Sequence, residues 1–266
     1  DLSTGPVQFA LSGEWNREWY SDVKDDNTLS GNLLGQGGTQ GQGARKRYAV
    51  AGELAIPIVA SVSGQYLDAS IATRYDYYDD ESAVNGAFTP QLGLIYRPND
   101  SLLFRGNAGR SFRAPDMHRL YAGLSRSFSS TTFHVDPNHP AEPDRFESIS
   151  AGNTDLREER GKFFNLGTVF QVGDNFNGMI DFWHISLRGA VYTESVSRIL
   201  ADPYYDRTNV ASNCNELTNL GYIMQQPADQ DYADVFCVRR GTINSAYEAS
   251  RGIDADLSYT WNTESY

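Results

Sequence analysis

The sequence predicts an all-β, antiparallel architecture that crosses a membrane as part of a β-barrel, and three observations predict it. Apolar and polar residues alternate at period two in one segment after another. The connections between those segments are short and long in strict turn. Aromatic side chains gather at the ends of the apolar faces, as with Tyr75, Tyr77, Tyr259 and Trp261, where interfacial girdles belong.

Taken in chain order, Val7, Phe9, Leu11, Gly13 and Trp15 oppose Gln8, Ala10, Ser12, Glu14 and Asn16. Tyr48, Val50, Leu54 and Ile56 then oppose Ala49, Ala51 and Glu53. Across residues 65–78, Leu67, Ala69, Ile71, Thr73, Tyr75 and Tyr77 form one face, with Asp68, Ser70, Ala72, Arg74 and Asp76 on the other. Phe88, Leu92, Leu94 and Tyr96 precede Leu102, Phe104, Gly106 and Ala108; Phe164, Leu166, Thr168, Phe170 and Val172 precede Phe176, Ile180 and Phe182. The last clear face carries Ile253, Ala255, Leu257, Tyr259 and Trp261 against Asp254, Asp256, Ser258 and Thr260, and the pattern is faintest over residues 242–248. This makes about nine strands, most of them roughly the 9 to 11 residues that cross a bilayer at a tilt.

Tight turns are predicted near Ser61-Val62-Ser63, Pro98-Asn99-Asp100, Gly173-Asp174 and Ala249-Ser250. Long connections are predicted over residues 21–46, 79–87, 113–161 and 189–238. Two of these approach about 50 residues, far beyond the connections of compact domains. Outer-membrane barrels have this asymmetry, with turns at one end and loops at the other. A soluble β-sandwich, such as a surface adhesin, would also carry aromatic residues in its core but has no reason to place every long loop at one end. The low-complexity stretch over residues 35–43 lacks the Lys-Ser/Thr of a phosphate loop and reads as a flexible loop tip.

Composition fits this picture. The 266 residues carry 22 Lys and Arg against 34 Asp and Glu, a net charge of −12, which argues against nucleic acid as a partner because phosphate contacts need clustered positive charge. Only 40% of residues are hydrophobic while 24 are Gly and 16 are Tyr, a profile of strands and turns rather than helices. No apolar run approaches the roughly 18 residues of a spanning helix, and Asp1-Leu2-Ser3 lacks the plan of a signal peptide. A barrel hides its apolar band at every second residue and reads as hydrophilic on average. Cys214 and Cys237 do not form a C-x-x-C pair, which leaves one disulfide or two free thiols. No nucleophile elbow, zincin motif or other catalytic signature occurs, so neither an enzyme nor a cofactor is expected.

Two stretches carry a family resemblance. Residues 105–116, ending in Phe112-Arg113-Ala114-Pro115-Asp116 and followed by Leu120-Tyr121, resemble the barrel signature of TonB-dependent outer-membrane receptors. Gly152-Asn153-Thr154-Asp155-Leu156-Arg157-Glu158-Glu159 resembles the family's Gly-Asn-Pro-x-Leu-x-Pro-Glu box, with Thr154 and Glu158 in place of the two prolines. Residues 72–78 and 90–98 resemble the strands before the first box, and Met179-Ile180-Asp181-Phe182-Trp183 and Arg251-Gly252-Ile253-Asp254 extend the likeness to most of residues 48–261.

The resemblance implies an outer-membrane receptor of a Gram-negative bacterium that imports a scarce nutrient, a ferric siderophore by family frequency, on energy transmitted by TonB. Its partners would be the cargo, its own plug domain, the TonB complex and outer-membrane lipid. The family barrel is large, with a plugged lumen, so residues 1–266 read as an internal piece that lacks the plug, the TonB-contacting segment and the closing strand. Asp68, Arg74, Asp76, Arg105, Asn107, Asp181, Asp254 and Asp256 would face the lumen, to bond the plug or line the ligand's path. Within the family the alternative cargo is haem, because histidines between the two boxes ligate iron there; His118, His134 and His139 lie in that interval, although residues 134–140 equally read as a Pro-rich solvated tip. His184 shares the parity of Ile180 and Phe182 and belongs in a girdle.

Passage through the oxidising periplasm implies a Cys214–Cys237 disulfide holding a ligand-capturing loop, worth roughly 3 kcal/mol by the chain-entropy model. The ligand-binding candidates are Arg119, Tyr121, Arg126, His134 and His139 in one long connection and Tyr192, Tyr204, Tyr205 and Arg207 in the other. Arg and Tyr suit an anionic aromatic chelate, since guanidinium pairs with carboxylate or catecholate oxygens and rings stack.

Overall fold

The structure, a computed structural model, describes residues 4–61, 64–131, 144–208, 214, 217–225 and 234–261. Eight long strands form one open antiparallel sheet: β1 (Gln8–Asp22), β3 (Gly41–Ala60), β4 (Tyr66–Asp79), β5 (Gly86–Asn99), β6 (Leu102–Arg113), β9 (Glu159–Val172), β10 (Phe176–Thr193) and β14 (Thr242–Tyr259). Each pairs with its neighbour in that order, up and down, and β1 and β14 are the edges. Pro57 has no N–H to give the ladder, and the register slips between Pro57 and Val59.

The predicted turns after β5 and β9 fall where the alternation puts them, residues 62–63 of the turn predicted between β3 and β4 lie outside the described residues, and all four long connections leave from the opposite end of the sheet. The predicted turn at Ala249-Ser250 does not exist. Residues 242–259 form one uninterrupted strand paired with β10, so the wall has eight strands rather than about nine. The physical reason is parity: Tyr247, Ala249, Arg251 and Ile253 stay on one face straight through the supposed turn, and two small residues do not by themselves reverse a chain.

The long connections are not simply loops. They contribute β2 (Gln36–Gly38), β7 (Ser125–Thr131), β8 (Asp144–Ser150), β11 (Asp206–Thr208), β12 (Gly221–Gln225) and β13 (Asp234–Arg239) to a second sheet in the order β11-β12-β13-β8-β7-β2, which caps the loop end. Two pairings in it, β11 with β12 and β13 with β8, are parallel. Three short helices, α1 (Asp26–Leu29), α2 (Met117–Tyr121) and α3 (Val196–Ala201), sit in the same connections, each begun by a side chain that accepts from its first turn: Asp25, Asp116 and Ser195.

The stretch over residues 35–43, expected to be a flexible tip, is built into this cap. Gln36–Gly38 pairs with β7, and a Cβ on Gly43 would stand 2.3 Å from the ring of Tyr121, so only glycine lets α2 lie against β3.

The apolar residues divide between the two sheets as their solvents differ. In the cap, Phe146, Ile199, Leu200, Tyr222, Val235 and Val238 form one buried cluster, and Ile149, Leu217, Ile223 and the disulfide of Cys214 and Cys237 form another. In the wall, Phe9, Leu11, Ile71, Leu92, Leu94, Leu166 and Ile253 all point outward and stay exposed. A row with Leu67 and Tyr96 bounds this band near the turns, and Trp15, Tyr48 and Tyr77 bound it near the loops. Between those rows β4 climbs about 10 residues, roughly 33 Å along the strand or about 23 Å after a tilt of about 45°, which matches the apolar height of a membrane barrel. Tyr96 stacks near Phe104, and Tyr259 meets Trp261, at the turn end.

Both cysteines are buried and their Cα atoms lie 5.9 Å apart in the bonded pair. A maleimide added to intact cells is therefore expected to leave Cys214 and Cys237 unmodified, with modification requiring reductant and denaturant together. Rapid labelling of untreated cells would remove the disulfide from this account.

Candidate functional site: the concave wall and its cap

The polar parity of the wall faces the concave side, and its charges are organised into networks. Glu14 on β1 accepts from Arg47 on β3 at 3.0 Å and from Arg74 on β4 at 2.8 and 3.1 Å; Arg74 also reaches Asp76 at 2.8 Å. Asp76 is fully buried by these partners. Lower down, Arg105 on β6 forms a bidentate pair with Asp181 on β10, at 3.0 and 2.5 Å. The pair spans the intervening β9 at Gly167, where a Cβ would meet the Asp181 carboxylate at 1.9 Å, so the absent side chain makes room for the bridge.

Below the cap this concave side holds a hollow of about 880 Å³, lined by Asp68, Ser70, Asn107, Asn165, Asp181 and Asp254 among others. Asn165 donates to Asn107 at 2.7 Å across the β6–β9 seam. The expected lumen-facing positions thus share one surface: Arg74 and Asp76 pair along β4, Arg105 pairs with Asp181 across β9, and Asn107 accepts from Asn165 on the neighbouring strand.

The two sequence boxes fasten the cap to the wall. Phe112 packs edge-on to Tyr78, Arg113 pairs with Glu159 at 2.7 Å, and the Pro115 carbonyl accepts from Arg45 at 2.9 Å. Arg45 in turn lies over the Tyr78 ring and pairs with Asp80 at 2.5 Å, with both side chains almost wholly buried. Asn153 donates to the Thr242 carbonyl and its own N–H bonds to Arg119, while Leu156 is buried with Leu120, Tyr121 and Val191. Ala114 lies just past the end of β6, between Arg113 and Pro115. Sequence reasoning missed Arg45, Asp80 and Asn244, whose side-chain amide bonds the backbone of Gly189 and Arg157. Their partners are remote in sequence, and only Glu159, the last residue of the second box, had a signal.

The cargo candidates are distributed unevenly. Arg119 donates to the Val191 carbonyl at 2.7 Å and pairs with Asp116 at 3.2 Å; Arg126 pairs with Glu147 at 2.7 Å. Tyr121 is buried and accepts from the Glu81 N–H, and burial raises its pKa. Tyr192 accepts from the Ser245 hydroxyl at 3.1 Å. Tyr205 packs on the cap core, where burial and then the Glu194 carboxylate push its pKa up to about 12, so its phenol stays neutral. Arg207 lies over the Tyr222 ring. Tyr204, by contrast, is fully exposed at the surface of the cap. His118 is bonded through Nδ1 to the Tyr20 hydroxyl at 2.9 Å, His184 sits on the outward face between Phe164 and Arg251, and His134 and His139 lie outside the described residues.

Comparisons with known proteins agree with the fold. No curated protein matches the chain. The siderophore receptor PirA from Acinetobacter baumannii superposes with a TM-score of 0.57 at 16% identity, over 96% of this chain and 32% of that one. The ferric enterobactin receptor PfeA from Pseudomonas aeruginosa gives 0.58 at 14% identity, over 94% and 30%. A variant of PfeA solved with enterobactin gives 0.57 at 13% identity over the same shares. The chain thus spans about a third of the length of these solved structures. The family model for TonB dependent receptor-like β-barrels matches residues 1–266, end to end. With an open up-and-down wall, an outward apolar band and long connections gathered at one end, the chain belongs to the TonB-dependent receptor β-barrel family, the β-barrels of the outer membrane of Gram-negative bacteria.

Proposed function

We propose that this chain is part of the barrel wall of a receptor that captures a ferric siderophore at the cell surface and passes it inward, with its own plug domain and the TonB complex as partners. The observation that carries the reading is the cap: the long connections fold into one sheet with its own core above a polar concave wall, which is the geometry of a vestibule over a pore. The solved structures it resembles are siderophore receptors, and the hollow falls in the size range of small-molecule sites. Within the cap, Tyr204 and Arg207 are the candidates best placed to meet a ligand, Tyr204 by exposure and Arg207 by a guanidinium that no acid neutralises among the described residues. Arg119, Tyr121 and Arg126 hold the cap together instead, and their removal would act through its shape.

The test is a titration of the full receptor with ferric enterobactin and, separately, with haem. Saturable fluorescence quenching by the siderophore is expected, weakened about tenfold in Y204A/R207A if stacking and one charge-assisted contact are lost. The folded barrel should persist in that variant. A Soret shift with haem that His118→Ala abolishes, together with no siderophore binding, would overturn the proposal in favour of haem. The Tyr20 bond already engages one nitrogen of that ring.

A further inference from the structure

Long connections between strands ordinarily stand as separate surface loops, each free to move on its own hairpin. Here three of the four are woven into one sheet. β2 comes from the β1–β3 connection, β7 and β8 from the β6–β9 connection, and β11, β12 and β13 from the β10–β14 connection, so the β2–β7 and β8–β13 pairings each join two connections that are remote in sequence. The buried clusters cross the same seams: Phe146 of β8 packs with Ile199, Tyr222 and Val238, and Ile149 of β8 packs with Ile223 and the Cys214–Cys237 disulfide. The β4–β5 connection is tied in through Ala83, whose N–H donates to the Thr154 carbonyl at 2.9 Å, and through the bond from the Glu81 N–H to Tyr121.

The pieces interlock at residues 120–124, which run backbone to backbone between the start of β3 on one side and Gly152 of the second box on the other. Thr39 donates its N–H to the Leu124 carbonyl at 2.8 Å and accepts, through its hydroxyl, from the Leu124 N–H at 3.0 Å; Gly152 donates to the Ala122 carbonyl at 2.9 Å. Neither seam has room for a side chain, because a Cβ on Gly41, Gly123 or Gly152 would come within 3.0 Å of the opposing backbone. Leu120 and Tyr121 are buried beside these seams with Leu156 and Val191, and Tyr20 of β1 packs on the same cluster. A segment held by backbone bonds on both edges and by a buried core on its flank opens only when all of these release together.

We propose that the cap is a fixed roof: the described parts of these connections stay locked to one another and to the wall throughout ligand capture, with residues 120–124 as the keystone, and none of them closes over a ligand as a separate flap. The inference takes the vestibule reading of the cap as given but does not rest on the identity of the cargo. A ligand then meets a preformed surface, and the entropy of ordering these connections is lost on folding and not on binding.

The experiment places nitroxide pairs in the full receptor on Leu34, Ser130 and Pro203, one exposed site in each of the three woven connections, and measures the distances between them with and without ferric enterobactin. Each pair is expected to give one narrow distribution whose centre moves by no more than about 1 Å when the ligand is added, the behaviour of a preorganised surface. Gly152→Val and, on the other seam, Gly41→Val should broaden the distributions and speed protease cleavage of the connections, with heat-modifiable migration recorded to show that the wall stays folded. Oxidised Q36C/S127C, which joins cross-strand partners from two connections, should import ferric enterobactin as fast as Q36C alone. Broad or multiple distances in the unliganded receptor, a shift beyond about 2 Å on ligand addition, or import lost on oxidation of the cysteine pair would each overturn the proposal. Titration of the same samples reports separately on the cargo: a receptor that does not bind ferric enterobactin removes the siderophore reading, while the unliganded distances still decide whether the roof is fixed.

Discussion

Ile71→Arg is expected to block assembly of the barrel, while Ser70→Arg, one residue away, leaves it assembled. Ile71 lies in the outward band between Leu54 on β3 and Leu92 on β5, near mid-height between the two aromatic rows. An arginine there loses apolar contact with lipid and brings charge to the depth where it costs about 2 to 4 kcal/mol. Ser70 points to the concave side, against Gly93, and an arginine from that position extends into the polar hollow beside Asp68. The measurement is heat-modifiable migration of the full receptor extracted from outer membranes. Equal loss in both variants would mean that the two faces are not solvated differently and would remove the barrel reading.

Asp80→Ala is expected to free the cap from an intact wall, although Asp80 touches neither lipid nor the hollow. Its carboxylate is fully buried and holds the Nε of Arg45, whose guanidinium is itself about 5% exposed and is further bound to the Pro115 carbonyl and the Tyr78 ring. Removing the acid leaves a buried cation without its counter-charge, which costs about 3 to 5 kcal/mol. The contact ties β3 and the β4–β5 connection to the end of the first sequence box, so the cap should loosen from the wall. Protease cleavage in the long connections should become rapid while heat-modifiable migration of the wall is retained. Replacing both members, R45M/D80A, should recover part of the protease resistance because no charge is then stranded. Unchanged cleavage in Asp80→Ala would show that the pair contributes nothing to the docking of the cap.

The same contrast between a wall built for lipid and a cap built on an internal core explains which features could be read from the chain. Strand parity is local: a side chain's face follows from counting by two. Leu67 to Tyr77, Phe88 to Tyr96 and Ile253 to Trp261 therefore announced both their secondary structure and their lipid side without tertiary information. The alternation of short and long connections was equally legible, because the turns after β3, β5 and β9 interrupt that parity. Where no interruption occurred, at Ala249-Ser250, the unbroken parity of Tyr247, Ala249, Arg251 and Ile253 already argued for one strand, and the small residues at the junction misled.

The sequence by itself determined the antiparallel wall, the two faces of each strand, the end at which the long connections gather and, through the two boxes, the family. Tertiary structure alone decided that those connections make a sheet, since β13 pairs in parallel with β8, which is some 90 residues earlier, and no local periodicity specifies such a partner. It also decided the roles of the polar residues. Arg119, Tyr121 and Arg126 looked like ligand-binding groups because Arg and Tyr are the right chemistry, yet a side chain's role depends on which groups fold brings within about 3 Å of it. For these three that neighbour is the protein's own backbone or carboxylate.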